Sequence, residues 1–107
     1  MIDTRELTPS QRLWAEIFGL EGIPKLKEEK VLSLISSLPS REALAIRLRF
    51  GFQRRPLTFK KLGKKLPRTR EVRVGVSKQM AMLILAKALR YLRHPSRRRA
   101  WEEARLS

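Results

Sequence analysis

The chain has 107 residues, 42% of them hydrophobic, enough for one small domain with one modest core. It carries 25 Lys and Arg against 10 Asp and Glu, a formal net charge of +15, so its surface repels itself unless a polyanion or an acidic protein relieves it. Cysteine is absent, Asp3 is the sole aspartate and His94 the sole histidine. That excludes disulfides and thiol chemistry and leaves little from which to build a triad, a carboxylate pair or a metal cluster, so a non-enzyme without cofactor or metal is expected.

Thr8-Pro9-Ser10 is a helix start, and Leu13, Trp14, Ile17 and Phe18 follow at helical spacing before Gly19 and Gly22-Ile23-Pro24 end the segment. A second helix is predicted over about Lys25–Leu38, with Leu26, Val31, Leu34, Ile35 and Leu38 as its apolar side. Pro39-Ser40 opens a third, over 40–50, that buries Leu44, Leu48 and either Ile46 or Ala45, with Gly51 in the C′ position. Past the loop Phe52–Leu57, Thr58 caps a short helix over 59–66. Gly63 inside it costs about 1 kcal/mol against alanine and marks close approach by another helix. Pro67–Val74 lacks periodicity and reads as a loop. Gly75-Val76-Ser77 then starts the longest helix, about 78–93, which His94-Pro95 stops, and a last short helix lies around Trp101. With no strand pattern and no repeat, the expected fold is all-α, a small domain of five or six helices.

Residues 1–40 hold five basic and six acidic side chains, whereas residues 41–107 hold 20 basic and four acidic ones. The first third reads as an ordinary globular surface and the rest as a nucleic-acid binder, with a solvated, highly soluble face as the bland alternative. Arg97-Arg98-Arg99 suits a phosphate or an acidic surface. His94 suits the negative end of a helix dipole. Trp14 and Phe18 read as core, with base stacking as the alternative. No apolar run approaches the ~20 residues that cross a bilayer, and Met1–Glu6 leads into no apolar signal segment. No membrane partner is expected, and the expected location is cytoplasmic.

A short helix, a connection and a longer basic helix make the helix-turn-helix layout, in which the second helix enters the major groove. LPSREALAIRLRFG at Leu38–Gly51 resembles the start of region 4 of the bacterial primary sigma factors. LTFKKLGKKL is similar to the first helix of that region's motif, internal Gly63 included, and GVSK…AKALRYLRHPSR, within Gly75–Arg97, to its recognition helix and the run that follows. The resemblance covers about residues 31–100, leaving 1–30 as an N-terminal helical extension and 101–107 as a C-terminal tail. It implies a bacterial, phage or mobile-element protein that works with RNA polymerase, docking on the polymerase flap through its first helices and reading the minus-35 promoter element. The regions that bind and melt the minus-10 element have no counterpart here, so the expectation is a fragment of a longer factor or a partial sigma factor that needs a partner. The DNA contacts expected on this layout, mostly to phosphates of double-stranded DNA, are Arg54, Arg55, Lys60, Lys61, Ser77, Lys78, Gln79, Lys87, Arg90, Arg93 and Arg97.

Two departures from the family stand out. Pro67–Val74, with Arg68, Arg70 and Arg73, is about eight residues that the family normally lacks. The start of the recognition helix, polar and rich in Arg and Glu in the family, reads Lys78, Gln79, Met80, Ala81, Met82, Leu83, Ile84, Leu85, so only Lys78 and Gln79 remain as base readers. From Val76 to Leu92 apolar side chains occur on every face, as in a buried helix. Ala81, Ile84, Ala88 and Leu92 form one core stripe; Met80, Met82, Leu83 and Leu85 need a second cover. The candidates are the helix 10–19 with Trp14 and Phe18, a second copy of the chain in a homodimer, or another protein such as polymerase or a sigma-type partner. Three function classes follow: a sigma region 4-like DNA-binding transcription protein, an interaction module whose recognition helix meets protein instead of DNA, and a charge-driven nucleic-acid binder.

Overall fold

The computed structural model describes residues 6–68 and 75–106, and every regular element among them is a helix. Helix α1 spans Pro9–Phe18. Its start is a capping box: Thr8 Oγ1 accepts from the Gln11 N–H, and Gln11 Oε1 accepts from the Thr8 N–H, both at 3.1 Å. Helix α2, Glu28–Ser36, opens with Glu28 and Glu29 at the positive end of its dipole. Helix α3, Ser40–Phe50, starts after Pro39 and stops at Gly51, whose φ of 85° is the left-handed conformation that glycine adopts at lowest cost. The following loop folds back on this corner, held where the Arg49 guanidinium donates to the Leu57 carbonyl at 2.8 Å and stacks 4.3 Å over the Phe59 ring. Helices α4 (Phe59–Lys65) and α5 (Lys78–Arg93) are capped by Thr58 and Ser77. A 3₁₀ turn, Pro95–Arg97, leads into α6, Arg98–Ala104.

The second helix departs from expectation at both ends. It begins at Glu28 instead of Lys25, because Lys25–Lys27 runs extended beside the end of α6. The Lys27 N–H donates to the Ala104 carbonyl at 2.7 Å, and the Leu106 N–H to the Lys25 carbonyl at 2.9 Å, bracketing a Leu26–Arg105 bridge. It ends at Ser36, and Ser37 and Leu38 close the last turn with bonds to Leu34 and Ile35 before Pro39. In α3 both Ala45 and Ile46 are buried and Leu44 is half-buried. Of the loop expected over Pro67–Val74, Pro67 and Arg68 follow α4 outside any helix, and 69–74 lies outside the described residues.

One core unites the helices. Leu13 and Ile17 of α1, Val31 and Ile35 of α2, Ile46 of α3, Leu62 of α4 and Trp101 of α6 share a single apolar cluster with α5. Helix α5 is the central strut, in contact with α1, α3 and α4. Its C-terminal carbonyls lack partners within the helix, as at any helix end. One of them, Leu92 O, accepts from the buried Trp101 Nε1–H at 2.9 Å. Among the described residues no helix is long and apolar enough to cross a membrane.

At Gly63 the close neighbour is the backbone that leads into α5. The Val76 N–H donates to the Gly63 carbonyl and the Gly75 N–H to the Leu66 carbonyl, both at 2.7 Å. A Cβ at position 63 would stand 2.6 Å from the Val76 carbonyl oxygen. Gly63→Ala therefore gains about 1 kcal/mol of helix propensity but forces a methyl into main chain, which typically costs about 1–3 kcal/mol. The expected net result is a lower urea midpoint; a raised midpoint would mean that the two backbones are not in contact. Trp101→Phe keeps one aromatic ring but deletes the donor and part of the buried indole, stranding the Leu92 carbonyl at a cost of about 1–3 kcal/mol and leaving a small void beside it. Thermal melting should then fall by roughly 4–8 °C per kcal/mol.

Candidate nucleic-acid interface

The contact at Gly63 sets where the N-terminus of α5 emerges. Ser77 Oγ accepts from the Met80 N–H at 3.1 Å, which starts the helix beside the C-terminal turn of α4. Arg68 Nε donates to the Gly75 carbonyl at 2.8 Å and clips the same approach. The first turn of α5 thus leaves α4 in a fixed direction with Ser77, Lys78 and Gln79 exposed.

Along α5, Ala81, Ile84, Leu85, Ala88, Leu89 and Leu92 face the core. Leu85, expected in the surplus apolar set, belongs to that core side. The solvent side follows Gln79, Met82, Leu83, Ala86, Arg90 and Arg93, all exposed, at helical spacing. It is apolar in its first half and cationic in its last turn. Met80, Met82 and Leu83 are 43%, 44% and 64% exposed.

The expected cover from helix 10–19 does not form over those three side chains. α1 delivers Leu13 and Ile17 to the core. Its aromatic pair lies at the opposite end of α5: Trp14 and Phe18 have ring centroids 4.4 Å apart, and each meets Trp101 edge-on at 5.7 Å. Trp101 is anchored on Leu92, which at 1.5 Å per residue lies about 13–18 Å along the axis from Met80–Leu83. What draws Trp14 and Phe18 away is an aromatic partner in the tail, a long-range contact that helical spacing does not reveal.

The expected DNA contacts divide into groups. Lys60 and Lys61 are exposed in the first turn of α4, and Lys64 and Lys65, not singled out from the sequence, are exposed one turn on. The signal was the lysine doublet repeated at four-residue spacing, which stacks like charges at i and i+4. Such pairs cost about 0.2–0.5 kcal/mol each until an anion relieves them. Arg54 and Arg55 are exposed in the loop before α4, and Arg90 and Arg93 near the end of α5.

Lys87 is partly committed elsewhere. Its Nζ lies 3.8 Å from the buried carboxylate of Glu42 in the first turn of α3, and 6.0 Å from the Tyr91 ring centroid. Arg97 is half-buried with its guanidinium 6.0 Å from the same ring. His94 Nδ1 accepts from the Ser96 N–H at 3.1 Å and so shapes the turn into α6. Among the described residues no three acidic or histidine side chains converge to hold a metal. No protein-family model, curated protein or solved structure matches this chain.

Proposed function

We propose that this chain is a DNA-binding transcription protein of the sigma region 4 kind, a non-enzyme that works with bacterial RNA polymerase in the cytoplasm. The observation that carries this is the seating of the α5 N-terminus on α4 at Gly63, with Lys60, Lys61, Lys64, Lys65 and Lys78 exposed on the two helices. A seven-residue helix locked against the start of a sixteen-residue one suits a helix-turn-helix. In this reading α5 enters the major groove by its first turn, with Lys78 and Gln79 at base edges. The α4 lysines, Arg54, Arg55, Arg90 and Arg93 meet phosphates. As a partial sigma factor, the protein docks on the polymerase flap through α2 and α3 and depends on a partner for the minus-10 element.

Base discrimination on this reading is weak. Met80, Met82 and Leu83 occupy the turns that would follow Gln79 into the groove, and an apolar side chain there offers at most contact with a thymine methyl. A second reading rests on the same three side chains. Each is already partly covered, so completing its burial would recover a fraction of the about 1.5–3 kcal/mol that burying a whole apolar side chain gives, and the helix would then serve an interaction module that meets polymerase, a sigma-type partner or a second copy.

Duplex affinity should fall by ~10³ or more between 50 and 200 mM salt if six or more phosphates are neutralised. Lys60→Ala and Lys61→Ala should each reduce the slope by about one. Competition should show a promoter preference below roughly a thousandfold over scrambled duplex. A flat salt titration removes the DNA-binding reading. Met82→Ser with Leu83→Ser should leave duplex affinity within about threefold, since an apolar contact is worth little beside the phosphate term. If duplex binding is absent at 50 mM salt and the same double variant abolishes binding to purified core polymerase, the second reading replaces the first.

A further inference from the structure

The far end of α5 carries a site of different chemistry. A cavity of about 360 Å³ opens where α1, the end of α5 and α6 meet. Buried Leu92 and Trp101 floor it, and Trp14, Phe18, His94 and Pro95 line its sides. Trp101 is committed to the scaffold through its indole bond to Leu92. Phe18 packs on Trp14 and meets Trp101 edge-on yet stands 47% exposed at the end of α1, and Trp14 beside it is half-buried. Arg93, Arg98 and Arg105 are exposed around the mouth against one carboxylate, Glu102. The Arg105 guanidinium lies 5.8 Å from the Trp14 ring centroid.

We propose that this cavity binds one unpaired nucleotide of a single-stranded nucleic acid, the base against Trp14 and Phe18 and the phosphate among the three arginines. Part-exposed aromatic rings next to guanidinium groups are the combination by which proteins hold unstacked bases, because every base has a π-face and every linkage an anion. Guanidinium forks match the geometry of phosphate oxygens. The volume is at the small end of the ~300–1,000 Å³ usual for ligand sites, which suits a single nucleotide. A paired base is stacked on both sides and cannot enter, so the occupant is single-stranded. An acidic peptide would satisfy the arginines but leave the aromatic faces unmatched. The cavity lies about 18 Å along α5 from its DNA-facing turn at 1.5 Å per residue. The two share only Arg93, so each can fail without the other when the variants are placed at Phe18 and Arg98.

Both tryptophans of the chain, Trp14 and Trp101, line the cavity, so intrinsic emission reports on it. The full chain is titrated with an oligothymidylate and an oligouridylate of eight residues, a blunt twelve-base-pair hairpin duplex closed by a polyethylene glycol linker so that it holds no unpaired base, and an oligoglutamate, all compared at about equal charge concentration. Saturable quenching by either single strand, and none by the hairpin, is expected; the ratio of the two affinities identifies the natural backbone. Phe18→Ala should weaken single-strand binding about fivefold to a hundredfold, the range found on removing one stacking partner, and leave hairpin affinity unchanged. Arg98→Gln, which deletes one cation without setting a second carboxylate four residues before Glu102, should weaken the same binding without lowering the melting temperature. Absence of quenching by both single strands, unchanged affinity in a folded Phe18→Ala, or equal displacement by oligoglutamate would overturn the proposal. Loss of hairpin binding alone would count only against the helix-turn-helix reading.

Discussion

Two backbones touch where α4 meets the start of α5, and the hydrogen on Gly63 is what lets them. The Val76 N–H reaches the Gly63 carbonyl at 2.7 Å, and no β-carbon fits between. That contact fixes the direction in which α5 departs, and α5 is the strut against which α1, α3 and α4 all lie. Its exposed first turn and its buried side are consequences of the same seat. Thr58 and Ser77 then supply matching N-caps, so both helices of the pair start at defined residues.

A large positive charge does not make every cation a ligand contact. Arg12 donates to the Phe50 carbonyl at 3.3 Å, Arg49 to Leu57 and Arg68 to Gly75, each satisfying main chain at a helix end or in a loop. Lys87 offsets the buried Glu42 carboxylate. These four hold the scaffold together, whereas the lysines of α4 crowd one another on an exposed face. Repulsion that the fold leaves in place is what an anionic partner relieves.

Local features were legible in the sequence. Thr8, Thr58 and Ser77 act as caps, Gly51 as the left-handed terminator and Pro39 as the break, because each depends on neighbours within four residues. Gly63 was legible too, since a glycine inside a helix needs a reason. The failures are all long-range. Leu26 looked helical by spacing but is held extended by residues at the other end of the chain. Leu85 looked surplus because the core stripe was drawn too narrow; α5 is gripped on several sides, and its buried arc takes in Leu85 and Leu89 as well. Trp14 and Phe18 could not be assigned without knowing where Trp101 sits, and the cavity they form was invisible for the same reason. Whether a cation is spoken for, as with Lys87, depends on a helix more than forty residues away in the chain.

The extended pairing of Lys25–Lys27 with Ala104–Leu106 joins segments about three quarters of the 107-residue chain apart. Closing so long a loop has a high entropy cost and is rewarded only after the intervening helices have assembled. This strap therefore belongs to the last part of the molecule to order during folding and the first to open. The Lys27 and Leu106 N–H groups that close the strap are thus expected to exchange before the Gly75 and Val76 N–H groups at the Gly63 junction.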